Sequence, residues 1–580
     1  SGGTTIVPGS AFDHDIDLSN TINGNQPILY VNGESNKTYD GDIDGDYGVV
    51  YVVDSDNVTV KNAKLAQNNW MGVWLINTNN STIDNLIIPN YYINGIRADY
   101  DYGSSGVGLT FSNNVISTNS PNYSHDPVLS YKSASPVFTG NEITNTGYRS
   151  GSVYLRYAPN AVVTNNTTSG DVYLYIDGDN SIVTGNVVNN GSIIVSGHNS
   201  AVTDNVTHGR GIHIDNGTNS VVSRNEINNS SYRGISLFAS DDSLVENNTI
   251  INADYAGIYV EDPVKVKNNT ISRSGYGVMI TRLAGGTVVE GNEILDSSEH
   301  GIYIEADRNN IHGNTVSNSS KNGVWVRKWS DNNNIVNNTI SHSGYNGIFF
   351  YQGGVGAIYG NAISNSRYNG IWLDYFSENN TVTNNAISNS GYSGMYLTRS
   401  SDNTIENNTI ADSGSNGIYL NYSYGYASNR NLVRGNTISD SVYNNVFIGL
   451  SDSNVIEQNE MGYAYLIGIM TVYADNNTLR NNDYSSSNML GWSRQYCSPG
   501  AIVLGWKSNS NYVNEHLFPG ETSVCEQVVD YGKGNYIDGY DELCPNEEWT
   551  LKAYESCWDR AEREEEKLDH KSETHGAMWE

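Results

Sequence analysis

Basic residues are scarce in this chain: 31 Lys and Arg stand against 63 Asp and Glu, for a formal net charge of −32. Binding along a nucleic-acid backbone is excluded on that ground, because neutralising phosphates takes clustered Lys and Arg. Cations, cationic partners or plain solubility fit the charge better. Long apolar runs are missing as well. A membrane-spanning helix takes about 20 apolar residues, and the longest candidate, Tyr463 to Ala474, is about half that length. There is no CxxC or HExxH pair and no His ladder or Met cluster of copper-ligand type, so the expected cofactor set is empty apart from calcium. The chain opens at Ser1 without an initiator Met or a charged and hydrophobic leader, as a processed form would. Cysteine is limited to Cys497, Cys525, Cys544 and Cys557, all within the last 84 residues. An even number in one region, without CxxC spacing, reads as two disulfides in an oxidising compartment, with three pairings open.

Only 37% of the residues are hydrophobic, yet Tyr contributes 42 and Gly 58, and Asn and Ser are abundant. That balance describes either disorder or a turn-rich β protein, and the Tyr, Ile and Val content favours β. The phrase "YNGIWLDYFSENNTVTNNAISNSG" (368–391) recurs along the chain. Aligned on one Asn it gives nineteen positions from Asn62, Asn85 and Asn114 through Asn385 and Asn408 to Asn482, in steps of 19 to 29 that cluster at 23. Aligned on Gly it gives Gly211, Gly234, Gly257 and onward to Gly417 with nearly the same period. One unit is therefore one coil of a solenoid. Within it apolar residues alternate: Ile371 and Leu373 share a face and Trp372 takes the other, which is the period of a strand.

The expected fold is all-β, a single right-handed parallel β-helix of about 19 or more coils stacked at about 4.8 Å, some 90 Å of rod. Asn suits the corners because it tolerates the left-handed backbone and its side chains can bond along a stack. The same corners create N-glycosylation sequons, with Asn247, Asn268, Asn337, Asn379 and Asn407 as candidates. The expected divisions are an entry segment over 1–44, the β-helix over 45–485, terminal coils and a Cys-containing cap over 486–545, and an amphipathic helix with tail over 546–580.

Phrases such as "NNTISHSGYNGIFF" (337–350) and "ENNTIADSGSNGIYL" (406–420) resemble the NosD-type right-handed β-helix repeats, also called carbohydrate-binding and sugar-hydrolase repeats. Such repeats occur in secreted and cell-surface proteins of archaea and some bacteria, and the likeness covers roughly residues 45 to 485. It implies the fold more strongly than any activity, since the family includes surface-layer and adhesive proteins, sugar-active enzymes and a periplasmic accessory factor.

Both ends of a β-helix expose strand edges that invite another chain. At the C-terminal end "NEEWTLKAYESCWDRAEREEEKLD" (546–569) puts Trp549, Ala553, Cys557, Trp558 and Ala561 on one helical stripe, suited either to capping the last coil or to docking a neighbour. The first coil, near "PILYVNG" (27–33), is expected to be open.

Two residues after the repeat Gly stand Tyr259, Met279, Tyr303, Trp325, Phe349, Trp372, Tyr396 and Tyr419. This outward column reads as a protein interface, as platforms for sugars, or as good β formers, and a bare stripe of that size exceeds what a monomer normally exposes. Two residues before the Gly a Tyr column includes Tyr232, Tyr255, Tyr345, Tyr368 and Tyr392. Four residues after it stand Glu261, Glu305, Arg327 and Asp374, the residues on which an enzyme reading would rest. Glycosidase carboxylates sit about 5 to 9.5 Å apart; Glu261 and Glu305 are two coils apart, about 10 Å. Acid–base pairs for a lyase would come from Arg156 with Tyr157, Arg327 with Lys328, or Tyr351. Asp40, Asp42, Asp44 and Asp46 in "YDGDIDGDYG" read as a solvated acidic turn or a calcium site without EF-hand spacing. His208 and His213 are a close pair that reads as surface.

The leading expectation is a secreted structural protein of the cell surface that self-assembles, as a filament, sheath or layer subunit, or acts as an adhesin. Its partners are then other copies of itself or cell-surface glycans. The alternative is a polysaccharide-active enzyme (lyase, C5-epimerase or glycoside hydrolase) or a glycan binder without turnover.

Overall fold

The computed structural model describes residues 16–485, except 23–24, 101–104, 119–125 and 148–149, and then 502–505, 507–514, 516, 528–530 and 532–537. The four cysteines, the expected helix over 546–569 and the tail to 580 lie outside the described residues. The chain divides into two compact units, Ser1–Asn310 and Ile311–Glu580, and each is a parallel β-solenoid.

A coil is three short strands joined by tight corners. In the first unit one coil runs Val162–Thr164, Thr167–Ser169 and Val172–Asp177. Each strand pairs in parallel with its counterpart one coil on: Val162 opposite Ile182, Thr167 opposite Val187, Leu174 opposite Ile193. Alternation sends Val163, Thr168, Leu174 and Ile176 inward, where none keeps exposed surface. The second unit repeats the plan with Thr404–Glu406, Thr409–Ser413 and Ile418–Asn421, burying Ile405, Ile410, Ile418 and Leu420. Like residues stack on like, as in Ile250, Ile271 and Ile294. Truncating one such buried Ile to Ala costs about 2–5 kcal/mol.

The corners divide between two residues the work that the sequence reading gave to one. At Asn62 and Asn85 a single residue has both the left-handed backbone (φ 55° and 53°) and the stacked amide (2.9 Å). From Asn114 on, the preceding residue takes positive φ: Asn113, Asn165, Asp204, Asn247 and Asn268, or a Gly such as Gly140. The aligned Asn then turns inward and is buried. Its Nδ2 donates to Oδ1 of the next ladder Asn at 2.9 Å from Asn114 to Asn292. An equivalent ladder runs from Asn314 to Asn482 at 2.9–3.0 Å. A buried amide needs partners for both its donor and its acceptor, and a stack supplies them. A second buried ladder in the Ile311–Glu580 unit, Asn380, Asn403, Asn431, Asn454, Asn477 and Asn511, was not foreseen.

The first edge is not left bare. Thr21–Ile22 lies antiparallel on Gln26–Asn32, with Ile28 N donating to Asn20 O at 2.7 Å, because the chain folds back before entering the first coil. Coil pairing also begins early, Gln26–Asn32 already lying on Val49–Val53. Among the described residues no helix is long and apolar enough to cross a membrane.

Candidate functional site

The expected aromatic stripe is present, but it is not bare surface. Tyr303 is 4% exposed and Trp325 9%; Tyr259, Met279 and Phe349 are also buried, and Trp372, Tyr396 and Tyr419 are half-buried. Strand spacing of about 4.8 Å lets rings in register lie face to face. Phe349 stacks on Trp372 at 4.7 Å between centroids, Trp372 on Tyr396 at 5.7 Å, and Tyr396 on Tyr419 at 4.9 Å. Tyrosines before the Gly close in from the side, Tyr255 of the second column on Tyr259 (6.4 Å) and Tyr276, directly before Gly277, on Tyr303 (5.3 Å).

Within each unit the candidate catalytic residues stand on separate coils. Glu261 accepts from Tyr259 Oη at 2.7 Å and Glu305 from Tyr303 Oη at 2.6 Å, each held by a ring of its own coil. The strand Tyr276–Ile280 lies between their strands, so the two stand two coils apart. In the other unit Arg327 follows Val324–Val326, while Asp374 ends Ile371–Asp374, two strand steps on. Asp374 is buried against Arg399, and burial raises its pKa while the guanidinium opposes the rise.

The acidic turn is a helical turn, Gly41–Asp44, capped by its own carboxylates. Asp40 accepts from Asp42 N and Asn62 Nδ2 and pairs with Lys61 at 3.0 Å; Asp44 accepts from Asp40 N; Asp46 accepts from Lys64 N. Among the described residues no three His, Cys, Asp or Glu side chains are grouped to hold a metal ion.

A denser constellation lies just upstream of Tyr259, on the outward face of the same sheet. One column reads Tyr154, Tyr175, Ile194, His213, Ser236 and Tyr259 in register. Its neighbour reads Asp177, Ser196, Asp215 and Phe238, with Arg156 ending the preceding strand. Arg156 lies among three rings, 5.6 Å from Tyr131, 5.9 Å from Tyr154 and 5.0 Å from Tyr157. Arg233 lies 3.4 Å over Tyr259, 4.6 Å over Tyr232 and 5.2 Å over Phe238. Elsewhere in this unit Arg97, Arg210 and Arg224 pair with Asp99, Asp171 and Asp204. Neither Arg156 nor Arg233 meets a carboxylate among the described residues, and the buried Nε of each finds no acceptor. Four strand steps, about 19 Å, separate them.

Between them His213 Nδ1 meets Ser236 Oγ at 2.5 Å. Burial, with the charges of Arg233 and Arg210, pushes the His213 pKa down to about 4, so the ring is neutral at pH 7. Burial and the charge of Glu261 raise Asp215, while burial and the charges of Asp177 and Asp215 raise Tyr175. His213, read from the sequence as one of a surface pair with His208, is half-buried, and Ser236 was overlooked, although both stand two residues after Gly211 and Gly234 in the same alignment. Arg156 and Tyr157, noted as an acid–base pair, are part of this face.

The right-handed β-helix region model matches residues 18–167, 210–341 and 326–431, more than half of the chain. The chain belongs to the right-handed β-helix family. No curated protein matches it in sequence. Among solved structures it resembles a mutant of the periplasmic alginate epimerase AlgG, at 13% identity over 61% of this chain and 78% of that one, TM-score 0.33. It also resembles the A-module of the Azotobacter vinelandii mannuronan C-5 epimerase AlgE4, at 14% identity over 69% and 91%, TM-score 0.33. A third is a tailspike of E. coli bacteriophage HK620 in complex with a pentasaccharide, at 10% identity over 81% and 72%, TM-score 0.34. At such identities and scores the likeness extends to the fold alone.

Proposed function

We propose that this protein is a surface-associated β-helix that binds an acidic polysaccharide across the outward face between Arg156 and Arg233. The observation that carries the reading is the pair of guanidinium groups, bedded in rings and met by no carboxylate, on a chain of net charge −32. A protein so acidic repels polyanions at long range; Asp177 and Asp215 also stand on this face, and the two cations, neither in an ion pair among the described residues, offset them locally. Rings supply flat apolar surface for sugar faces at both ends of this face, Tyr154 beside Arg156 and Tyr259 beside Arg233. Secreted placement and kinship with NosD-type repeats belong to this proposal. It is supported by the exposed side chains of Asn247, Asn268, Asn337, Asn379 and Asn407, each accessible to glycosylation. Self-assembly through the aromatic stripe is less favoured, since stacking within the stripe already covers most of its rings.

The test is binding of the full chain to polyuronate, sulfated and neutral glycans. Arg156→Ala and Arg233→Ala each weaken acidic-glycan binding by about tenfold, ~1.4 kcal/mol, while Trp372→Ala leaves it unchanged. Equal affinity for neutral polymers, or no effect of either Arg variant, would overturn the proposal.

One observation favours turnover as a second reading. His213 is a neutral base at pH 7 beside Ser236, with Asp215 two residues on in the same strand and Tyr175 two strand steps away. A base beside a sugar whose carboxylate is neutralised by Arg can remove a ring proton. Release of unsaturated or epimerised sugar that disappears in His213→Gln, with binding retained, would establish it.

A further inference from the structure

The Ile311–Glu580 unit holds a cleft of about 460 Å³ far in character from the Arg-lined face. Its apolar walls include Phe376, Tyr422, Tyr426 and Tyr473, and its polar groups are Glu378, Arg399, Ser401, Asn429 and Asp452. Two features show that the fold departs from its own repeat to make it. The step from Asn408 to Asn436 is 28 residues, and the excess forms a two-residue hairpin turn. Ser423 and Tyr426 exchange backbone hydrogen bonds at 2.9 and 3.1 Å around Tyr424 (φ 48°) and Gly425 (φ 88°). The hairpin stands Tyr422 and Tyr426 at the rim, with Tyr426 edge-on to Phe376 at 4.8 Å. Four lining residues at corners also have positive φ, Phe376, Arg399, Leu450 and Tyr473, where Asn or Gly would sit without strain. Bulky residues such as Trp329 and Val355 take positive φ at other corners too, so the extra hairpin is the feature that marks this cleft.

The charge in the cleft selects its occupant. Arg399 is spent on Asp374, with Nη2 at 2.8 and 2.9 Å from the two carboxylate oxygens. The Glu378 carbonyl accepts from Val355 N at 3.0 Å, while its carboxylate makes no hydrogen bond or ion pair among the described residues. Asp452 accepts from Asp475 N through Oδ1, and the Asn429 side chain accepts from Asp452 N. The groups left to a ligand are therefore carboxylate acceptors, the hydroxyls of Tyr422 and Tyr426, and an amide, set between rings. An anionic sugar is disfavoured by the two carboxylates. A single ammonium group is smaller than a cleft of this volume, which is in the range of small-molecule sites.

We propose that this cleft binds one or two residues of a neutral oligosaccharide, with vicinal hydroxyls donating to Glu378 and Asp452 and the apolar sugar face against Phe376 and Tyr426. The site is separate from the acidic-glycan face and does not depend on it. The experiment titrates the full chain with a panel of neutral oligosaccharides, with choline and spermine, and with polyuronate, followed by calorimetry. The expected result is binding of at least one neutral oligosaccharide, weakened about tenfold in Phe376→Ala and Tyr426→Ala and several-fold in Glu378→Gln. That binding persists unchanged in Arg156→Ala and Arg233→Ala. Circular dichroism melts verify folding, and the isosteric Glu378→Gln serves where a ring variant melts early. Three results would overturn the proposal: no neutral sugar binding, neutral-sugar binding indifferent to all three cleft variants, or choline or spermine lost with Glu378→Gln in place of sugar.

Discussion

Asp374 and Arg399 face each other from adjacent coils, with Arg399 Nη2 at 2.8 Å from Oδ1 and 2.9 Å from Oδ2 and Nε at 3.1 Å from Oδ1. The two side chains are only 5% and 14% exposed, so this is a buried ion pair. It also pins Arg399 beneath the rings of Tyr375 (4.9 Å) and Tyr424 (5.5 Å).

Removing one partner of such a pair strands the other charge. Asp374→Ala is expected to cost about 3–5 kcal/mol in urea unfolding. Asp374→Leu combined with Arg399→Met, which removes both charges and keeps volume, should cost much less. If the double variant is as unstable as the single one, the loss comes from packing and not from the stranded guanidinium.

The divided corner predicts that neighbouring asparagines differ in worth. Asn338 is buried; its Nδ2 donates to Ile311 O at 2.8 Å and Asn361 Oδ1 at 3.0 Å, and its Oδ1 accepts the N–H and Nδ2 of Asn314 at 2.9 Å. Asn338→Ala leaves buried donors without an acceptor and should cost about 2–5 kcal/mol. Asn337, exposed with φ 52°, supplies only backbone tolerance. Asn337→Gly keeps that conformation and should stay within about 0.5 kcal/mol of the native chain. Equal losses in the two variants would refute the division.

The period of the repeat and the alternation of Ile371, Trp372 and Leu373 carry the solenoid, since both follow from local backbone geometry that any strand must obey. Corner chemistry was half legible: Asn-Asn phrases announce a corner, but which Asn turns inward depends on a backbone angle that composition does not display. Exposure of the aromatic column was misjudged because stacking between coils is a tertiary effect. Trp372 seen within one coil points outward, and only Phe349 and Tyr396 on either side show that its faces are covered. The Arg156–Arg233 face was hidden for a different reason. Its members differ in type from coil to coil, and an array of unlike residues in register leaves no repeat to find. The cleft left one trace, the 28-residue step after Asn408.

Among the described residues the long ladder ends on a histidine, and that makes it sensitive to acid. His516 Nδ1 accepts from Asn482 N at 3.3 Å, the place an Asn Oδ1 holds in the coils before it, and Nε2 lies 3.1 Å from Leu479 O. This arrangement uses the neutral ring, with Nδ1 as acceptor and Nε2–H as donor. Burial pushes the pKa down to about 4, against the backbone hydrogen bonds that raise it. A histidine depressed in the folded state adds stability that is complete above its ordinary value of about 6.5 and lost as pH falls through about 4. Asp374 and Asp215, whose folded pKa values are raised, act in the opposite sense: protonation relieves the cost of burying their charge, so they do not produce an acid loss. Replacing the ring by the ladder's usual residue isolates the effect. His516→Asn should match the native chain at pH 7.5 and exceed it at pH 4, by up to about 3 kcal/mol, in urea unfolding monitored by circular dichroism. Parallel pH dependence in the two chains would show that His516 is not the acid-sensitive end of the ladder.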